Sequence, residues 1–96
     1  MRRDDALALL QAHLAEFQRL GVRSLAIFGS VARDEARLDS DVDVLVEFSG
    51  PAIFAGYMDL KFMLEALLER PVDLATTRAL KPALRRRIES DLQRVS

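Results

Sequence analysis

Hydrophobic residues near the N-terminus recur at the three- and four-residue spacing of an amphipathic helix. They are Leu7, Leu10, Leu14 and Phe17. Because this spacing places them on one helix face, the pattern predicts a helix over Asp4–Leu20. Asp4 and Asp5 suit the N-cap and first turn of this helix, and Gly21 suits its C-cap. The chain is therefore expected to open with one long helix.

Three short apolar runs bounded by turn residues predict β-strands. They span Val22–Phe28, Val42–Phe48 and Val72–Ala75. Leucine-rich stretches with helical spacing predict two further helices, Phe54–Glu69 and Leu80–Val95. Pro82 falls in the first turn of the last helix, where proline is tolerated. The face that this helix turns inward is predicted to carry Leu84, Ile88, Leu92 and Val95. The alternation of the two patterns predicts a small α/β (α+β) domain with a sheet of about three strands.

Composition narrows the class of protein. The chain has 96 residues, of which half are hydrophobic and 30% are charged, and it contains no cysteine. This length is typical of one domain, residues 1–96. The lack of cysteine excludes a disulfide framework and a cysteine-based zinc site, and it fits a reducing cytoplasm. The longest run without a charge, Phe48–Met58, has 11 residues, against the ~20 that a membrane helix needs.

The net charge of -1 conceals two segments of opposite charge. Asp34–Glu47 holds six acidic residues and one arginine, whereas the segment from Arg78 to the C-terminus holds six basic residues and two acidic ones. The basic segment includes the run Arg85, Arg86 and Arg87. This run is either a solvated helix face or a surface that docks a negatively charged partner or aids nucleotide binding.

Two carboxylates stand close together at the start of the second predicted strand. Asp41 and Asp43 are two residues apart, so their side chains point to the same side of a strand, with Cα atoms ~6.6 Å apart. At an effective dielectric constant of about 20, the two charges repel by roughly 2–3 kcal/mol. A bound divalent cation reverses this penalty, and Mg²⁺ typically takes one or two carboxylates plus substrate phosphates. The pair therefore indicates a metal site, against the alternative of a solvated strand edge.

A second candidate feature is Gly29-Ser30, at the end of the first predicted strand. Glycine lets the backbone approach a ligand closely, and the serine hydroxyl can donate to a phosphate oxygen. Val31-Ala32-Arg33 is expected to begin a short helix whose N-terminus favours an anion. Arg33 either touches phosphates or is a solvated helix arginine. The alternative for the whole feature is an ordinary turn.

Spacing places these features at one end of the sheet. If Gly29-Ser30 and Asp41 meet one ligand, the first two strands are antiparallel, and a helical crossover makes the second and third strands parallel. Asp73 then falls level with Asp41 and Asp43, where a third carboxylate can ligate a metal or accept a proton, against the alternative of a surface strand residue. Three carboxylates, two metals and a phosphate loop are the parts that phosphoryl or nucleotidyl transfer requires.

These motifs together resemble a known family. Gly29-Ser30, ten residues and then Asp41-Val42-Asp43 resembles the GS-x10-DxD signature of the DNA polymerase beta-like nucleotidyltransferases, and in particular the minimal nucleotidyltransferase (MNT) proteins of bacteria and archaea. Val72-Asp73-Leu74 matches the third-carboxylate strand of that family. The basic C-terminal helix is also of family type, and the resemblance covers nearly the whole chain.

The resemblance implies a mixed-sheet nucleotidyltransferase fold, ATP or another NTP as substrate, and Mg²⁺, with two ions. It implies that Gly29 and Ser30 hold the triphosphate, that Asp41 and Asp43 bind the metals, and that Asp73 is the third acid. Many such proteins are antitoxins paired with a HEPN-type toxin, an RNase, and some transfer AMP to a toxin tyrosine. The implied assembly is a hetero-oligomer with the toxin, or a homodimer of the chain alone, without membrane or direct nucleic-acid binding.

Two functions from different classes follow. The first is a nucleotidyltransferase that moves AMP from ATP to a hydroxyl of a partner protein. The second is an antitoxin that neutralises its toxin by binding alone. Asp34 favours the second, because it stands where the family usually has glycine and is expected to stiffen the loop or repel phosphate. Nucleic-acid polymerisation is disfavoured because the chain has no accessory nucleic-acid-binding domain.

Overall fold

Helices and strands alternate along residues 1–37, 40–50 and 54–95, which the structure, a computed structural model, describes. The helices are α1 (Arg3–Gln11), α2 (Leu14–Arg19), α3 (Gly29–Ala32), α4 (Phe54–Leu68) and α5 (Pro82–Glu89). The strands are β1 (Val22–Phe28), β2 (Val42–Phe48), β3 (Val72–Thr76) and β4 (Gln93–Arg94). No helix within the described ranges is long and apolar enough to cross a membrane.

The four strands form one mixed sheet in the order β3-β2-β1-β4. β1 pairs with β2 in the antiparallel sense, and β2 pairs with β3 in the parallel sense. Because parallel neighbours need a crossover, α4 connects β2 to β3. The predicted directions of the first three strands are confirmed, and so are the bounds of β1 and β2.

The two faces of the sheet differ in what covers them. One face carries alternate residues of the strands, such as Ile27, Val44 and Leu74, and packs against α4 residues Leu60 and Leu64 to form the core. Side chains on the opposite face include Ala26 and Leu45, which pair across β1 and β2, and then Asp43 and Asp73, which pair across β2 and β3. We call this second face the site face. Alternation along the strands therefore separates the core from the predicted chemistry.

The predicted N-terminal helix is wrong in one respect, because it is broken at Ala12 and His13 into α1 and α2. α1 packs against α3 and α4, whereas α2 packs against β1. One straight helix cannot follow both surfaces, so the chain changes direction between them. Gly21 then ends the helical segment with a φ of +90°, a conformation that glycine adopts at no steric cost.

The predicted C-terminal helix is also too long. α5 ends at Glu89, and the chain continues as β4, in which Arg94 pairs with Ala26 of β1. The N–H of Val95 donates to the carbonyl of Leu25 at 2.8 Å. A free β1 edge exposes unpaired backbone groups, and the last residues of the chain satisfy them by pairing as a strand. Leu84, predicted to face inward, is 46% exposed.

Candidate active site

Gly29 brings the backbone of the β1–α3 turn against the carboxylate of Asp43. Its φ is +72°, a left-handed conformation that L side chains rarely adopt. A Cβ at this position would lie 3.1 Å from Cγ of Asp43 and would overlap its Oδ2 atom. Asp43 pairs in the sheet with Phe28, the residue before this glycine. The glycine therefore sets the close approach of the predicted phosphate loop to the predicted metal ligand.

Three carboxylates gather at the end of the sheet where β2 and β3 begin. Asp43 and Asp73 are direct partners across these parallel strands, whose backbones lie ~4.8 Å apart. Asp41 precedes β2 by one residue and is exposed, as is Asp73, whereas Asp43 is half-buried. The prediction that Asp73 lies level with Asp43 in the sheet is confirmed.

Burial and like charge both act on the central carboxylate. Desolvation raises the pKa of Asp43, and the negative charges of Asp73 and Asp41 raise it further, while Arg33 opposes them. Desolvation and the two neighbouring carboxylates disfavour the ionised form of Asp43, whereas Arg33 favours it. A cation between them favours ionisation instead.

The carboxylates of Asp41 and Asp43 suit a cation that is bound partly by the protein and partly by a substrate. Within the described ranges, no three acidic or histidine side chains converge closely enough to enclose a metal ion by themselves. Mg²⁺ seldom needs such a cage, because it keeps waters and takes one or two carboxylates together with substrate phosphates. Asp41 and Asp43, beside the predicted phosphate loop at Gly29-Ser30, fit this mode of binding.

The loop after Ser30 is held by contacts on both sides. Ser30 lies in the single turn of α3, whose next residues, Val31 and Ala32, are buried. Asp34 has a φ of +61°, and its carboxylate accepts the N–H of Arg3, the first residue of α1, at 3.0 Å. This bond gives the expected stiffening of the loop a structural basis. It also occupies the Asp34 carboxylate at a helix N-terminus, where negative charge is favourable.

Arg33 is engaged with acidic side chains. Its guanidinium lies 2.8 Å from Oδ2 of Asp91 and 3.2 Å from Oε2 of Glu35. These hydrogen bonds raise the pKa of Arg33, the one to Asp91 most. The Asp91 contact joins residues 58 positions apart, and no sequence pattern indicated it. Nε and Nη1 of Arg33 are thus engaged, so a bound phosphate contacts Arg33 at its remaining N–H groups or in exchange for these carboxylates.

Fold and carboxylates together define a nucleotidyltransferase. The chain belongs to the nucleotidyltransferase domain family, whose model matches residues 10–95. Among curated relatives, it is 40% identical over 82 residues to the protein adenylyltransferase MntA of Thermococcus cleftensis, covering 84% of this chain and 83% of the relative. The predicted resemblance to the family is confirmed.

Solved structures show the same fold. A protein described provisionally as a minimal nucleotidyltransferase superposes with a TM-score of 0.84 at 38% identity, covering 97% of this chain and 95% of that one. The MNT antitoxin in complex with the tri-AMPylated HEPN toxin of Shewanella oneidensis gives a TM-score of 0.68 at 16% identity, covering 94% and 71%. A toxin-antitoxin structure with AMP-PNP gives 0.73 at 18%, covering 90% and 72%.

Proposed function

We propose that this chain is a protein adenylyltransferase that acts as an antitoxin. It transfers AMP from ATP to a hydroxyl group of a HEPN-type toxin, and the proposed acceptor is a tyrosine hydroxyl. The observation that carries the proposal is that Asp43 and Asp73 are paired across two neighbouring strands and that Gly29 lies against the Asp43 carboxylate. A relative with 40% identity is named a protein adenylyltransferase. A solved complex pairs an MNT antitoxin with an AMPylated HEPN toxin. The proposed location is the cytoplasm, where this chain, the toxin and ATP would meet.

The proposed roles divide the site between nucleotide and acceptor. Gly29 lets the backbone approach the β- and γ-phosphates, and the Ser30 hydroxyl donates to one of their oxygens. Asp41 and Asp43 would hold Mg²⁺, for which two ions are proposed, and the metal would supply positive charge beside the phosphates. Arg33 adds positive charge at the same edge once it leaves Asp91.

Asp73 acts on the acceptor side. Its exposed carboxylate takes the proton of the attacking hydroxyl as the oxygen–phosphorus bond forms. The bond from the α-phosphorus to the bridging oxygen breaks at the same centre, and pyrophosphate leaves towards Gly29-Ser30. The products are the AMP ester of the acceptor, pyrophosphate and one proton, so the atoms balance.

Label transfer tests this proposal. The chain is incubated with [α-³²P]ATP, Mg²⁺ and the protein that the adjacent gene encodes, and wild type is expected to label that protein. Asp43→Asn is expected to reduce the rate at least ~100-fold, because it removes a metal ligand at the reacting phosphate. Asp59→Asn, an exposed change on α4, is the matched control. No labelling by wild type, or equal labelling by Asp43→Asn, contradicts the proposal.

Neutralisation by binding alone is the competing outcome. One sequence reason for it is the small size of the chain, and another is Asp34, whose carboxylate accepts the Arg3 N–H at 3.0 Å. The two functions differ in the double variant Asp41→Ala/Asp43→Ala. An adenylyltransferase with this substitution fails to protect cells from the toxin, although it still binds the toxin. Full protection by the double variant would favour the binding antitoxin instead.

A further inference from the structure

A groove runs along the site face of the sheet beyond Asp43, and the three aspartate carboxylates themselves do not line it. It consists of a near cavity of ≈ 260 Å³, with Ala26, Leu45 and Leu92 in its lining, and a far cavity of ≈ 490 Å³ at the other end of β2. Glu47 and Thr77 line both cavities. The two cavities are therefore parts of one groove.

The groove begins beside the reacting groups. Leu45 is the next residue of β2 after Asp43 on the site face, so its Cα lies ~6.6 Å away. Ser49 lines the far cavity, and its Cα lies ~20 Å from that of Asp43 at the rise of an extended strand. A molecule that lies in the groove with one end at Asp43 is thus held along the whole length of β2.

The charged side chains of the groove are mainly cationic. Arg85 of α5 and Arg94 of β4 line the near cavity, and Arg23 and Arg78 line the far one. The acid among them, Glu47, is already 3.6 Å from Arg23 in an ion pair. The pair between Arg85 and Glu89 is long, at 3.9 Å, and both side chains are 58% exposed, so it is weak and easily exchanged. Charge complementarity therefore favours a negatively charged occupant with apolar parts.

The position of negative charge along the groove distinguishes a peptide from a nucleotide. A nucleotide whose phosphates lie at Gly29-Ser30 has all of its negative charge at one end of β2, and its uncharged nucleoside offers no anion to Arg78 at the other end. An extended peptide advances ~3.3 Å per residue. A segment whose hydroxyl lies at Asp73 therefore places residues about two to six positions away beside Arg85 and Arg78.

We propose that this groove docks the acceptor segment of the partner protein as an extended chain, with acidic residues about two to six positions from the hydroxyl that receives AMP. The proposal rests on the proposed function, and it adds which surface selects the acceptor. Arg85 and Arg78 select for acidic side chains, and the apolar floor formed by Ala26 and Leu45 takes the uncharged part of the segment.

Peptide binding tests the groove without any chemistry. The probes are two fluorescein-labelled peptides with one tyrosine each, flanked either by glutamates or by glutamines about two to six positions away. Fluorescence anisotropy at low salt is expected to show ~10-fold tighter binding of the glutamate peptide to wild type. In Arg78→Ser/Arg85→Ser this preference is expected to fall to ~2-fold, because two of the four arginines that line the groove are lost.

The matched control is Arg86→Ser/Arg87→Ser, which removes the same charge from α5 at exposed residues outside the groove. It is expected to retain the preference, and thermal melts check that both variants are folded. A wild type without preference, or an equal loss in the control, overturns the proposal. Weaker binding of a fluorescent ATP analogue by the groove variant, with unchanged peptide binding, assigns the groove to nucleotide and also overturns it. Label transfer by wild type separately decides the proposed function.

Discussion

Replacement of Asp43 by asparagine is expected to stabilise the fold while it abolishes transfer. The carboxylate of Asp43 is half-buried, pairs across the strands with Asp73, and has a raised pKa because of desolvation and the charges of Asp73 and Asp41. Asparagine has nearly the same shape and carries no charge. The variant therefore relieves repulsion that the chain tolerates when no cation is bound.

The size of the expected stabilisation follows from the distance between the Asp43 and Asp73 carboxylates on neighbouring strands. Two unit charges ~5 Å apart repel by ~0.8 kcal/mol at the dielectric constant of water and by ~3.3 kcal/mol at an effective value of 20. A half-buried pair lies between these limits, so the free energy of unfolding is expected to rise by about 1 kcal/mol or more. For a domain of this size, 1 kcal/mol corresponds to roughly 4–8 °C in Tm.

The stabilisation by Asp43→Asn is expected to increase with pH. Because the folded-state pKa of Asp43 is raised above its ordinary 3.8, the folded state binds this proton more tightly than the unfolded state. The resulting stabilisation of wild type is complete below pH 3.8 and is lost as the pH rises through the folded-state pKa. The gain from Asp43→Asn is therefore small at pH 3 and greatest at neutral pH. Mg²⁺ is expected to stabilise wild type and to narrow the difference.

Chemical denaturation at pH 3 and pH 7, with EDTA or with Mg²⁺, measures these quantities. Asp59→Asn provides the control, since an exposed surface change usually lies within about 0.5 kcal/mol of wild type. An Asp43→Asn variant that is less stable than wild type at pH 7, or equally stabilised at both pH values, would refute the electrostatic reasoning.

Other positions make separate predictions. Gly29→Ala should cost ~1–3 kcal/mol in thermal melts and impair transfer, because the φ is left-handed and the new Cβ overlaps the carboxylate of Asp43; an unchanged Tm would contradict this. Asp34→Ala should cost ~1–2 kcal/mol, since it loses the bond from the Arg3 N–H and keeps the left-handed φ. Asp34→Gly should cost less, and an equal cost for both would show that φ plays no part. Asp91→Asn should cost at most ~1 kcal/mol of stability, because the ion pair between Asp91 and Arg33 is partly exposed. The same change should lower the KM for ATP by releasing Arg33. A raised KM would show instead that the ion pair positions Arg33 for ATP.

Local patterns were sufficient for β1, β2 and β3 and for the residues that carry the proposed chemistry. β1 and β2 begin and end where alternation and turn residues placed them. The pairing of Asp43 with Asp73 followed from one condition, that Gly29-Ser30 and Asp41 meet a common ligand. With three strands and short connections, few topologies satisfy that condition, so the register near the site could be predicted.

The two ends of the chain were predicted less well. Helical spacing in Leu80–Val95 is satisfied equally by α5 followed by a strand, because Ile88 and Val95 are buried in either arrangement. Which one forms depends on the unpaired edge of β1, and that edge lies far away along the sequence. The break at Ala12 and His13 likewise depends on α4 and β1, the surfaces against which α1 and α2 pack.

The sequence alone determined β1, β2 and β3 and the carboxylates at the end where β2 and β3 begin, because period-two alternation and motif spacing are local properties. Only the tertiary structure decided how the chain end folds back. That folding brings Asp91 to Arg33 and Arg85 to the near cavity of the site face. Such contacts join residues dozens of positions apart, where packing and edge pairing, rather than periodicity, decide which side chains meet.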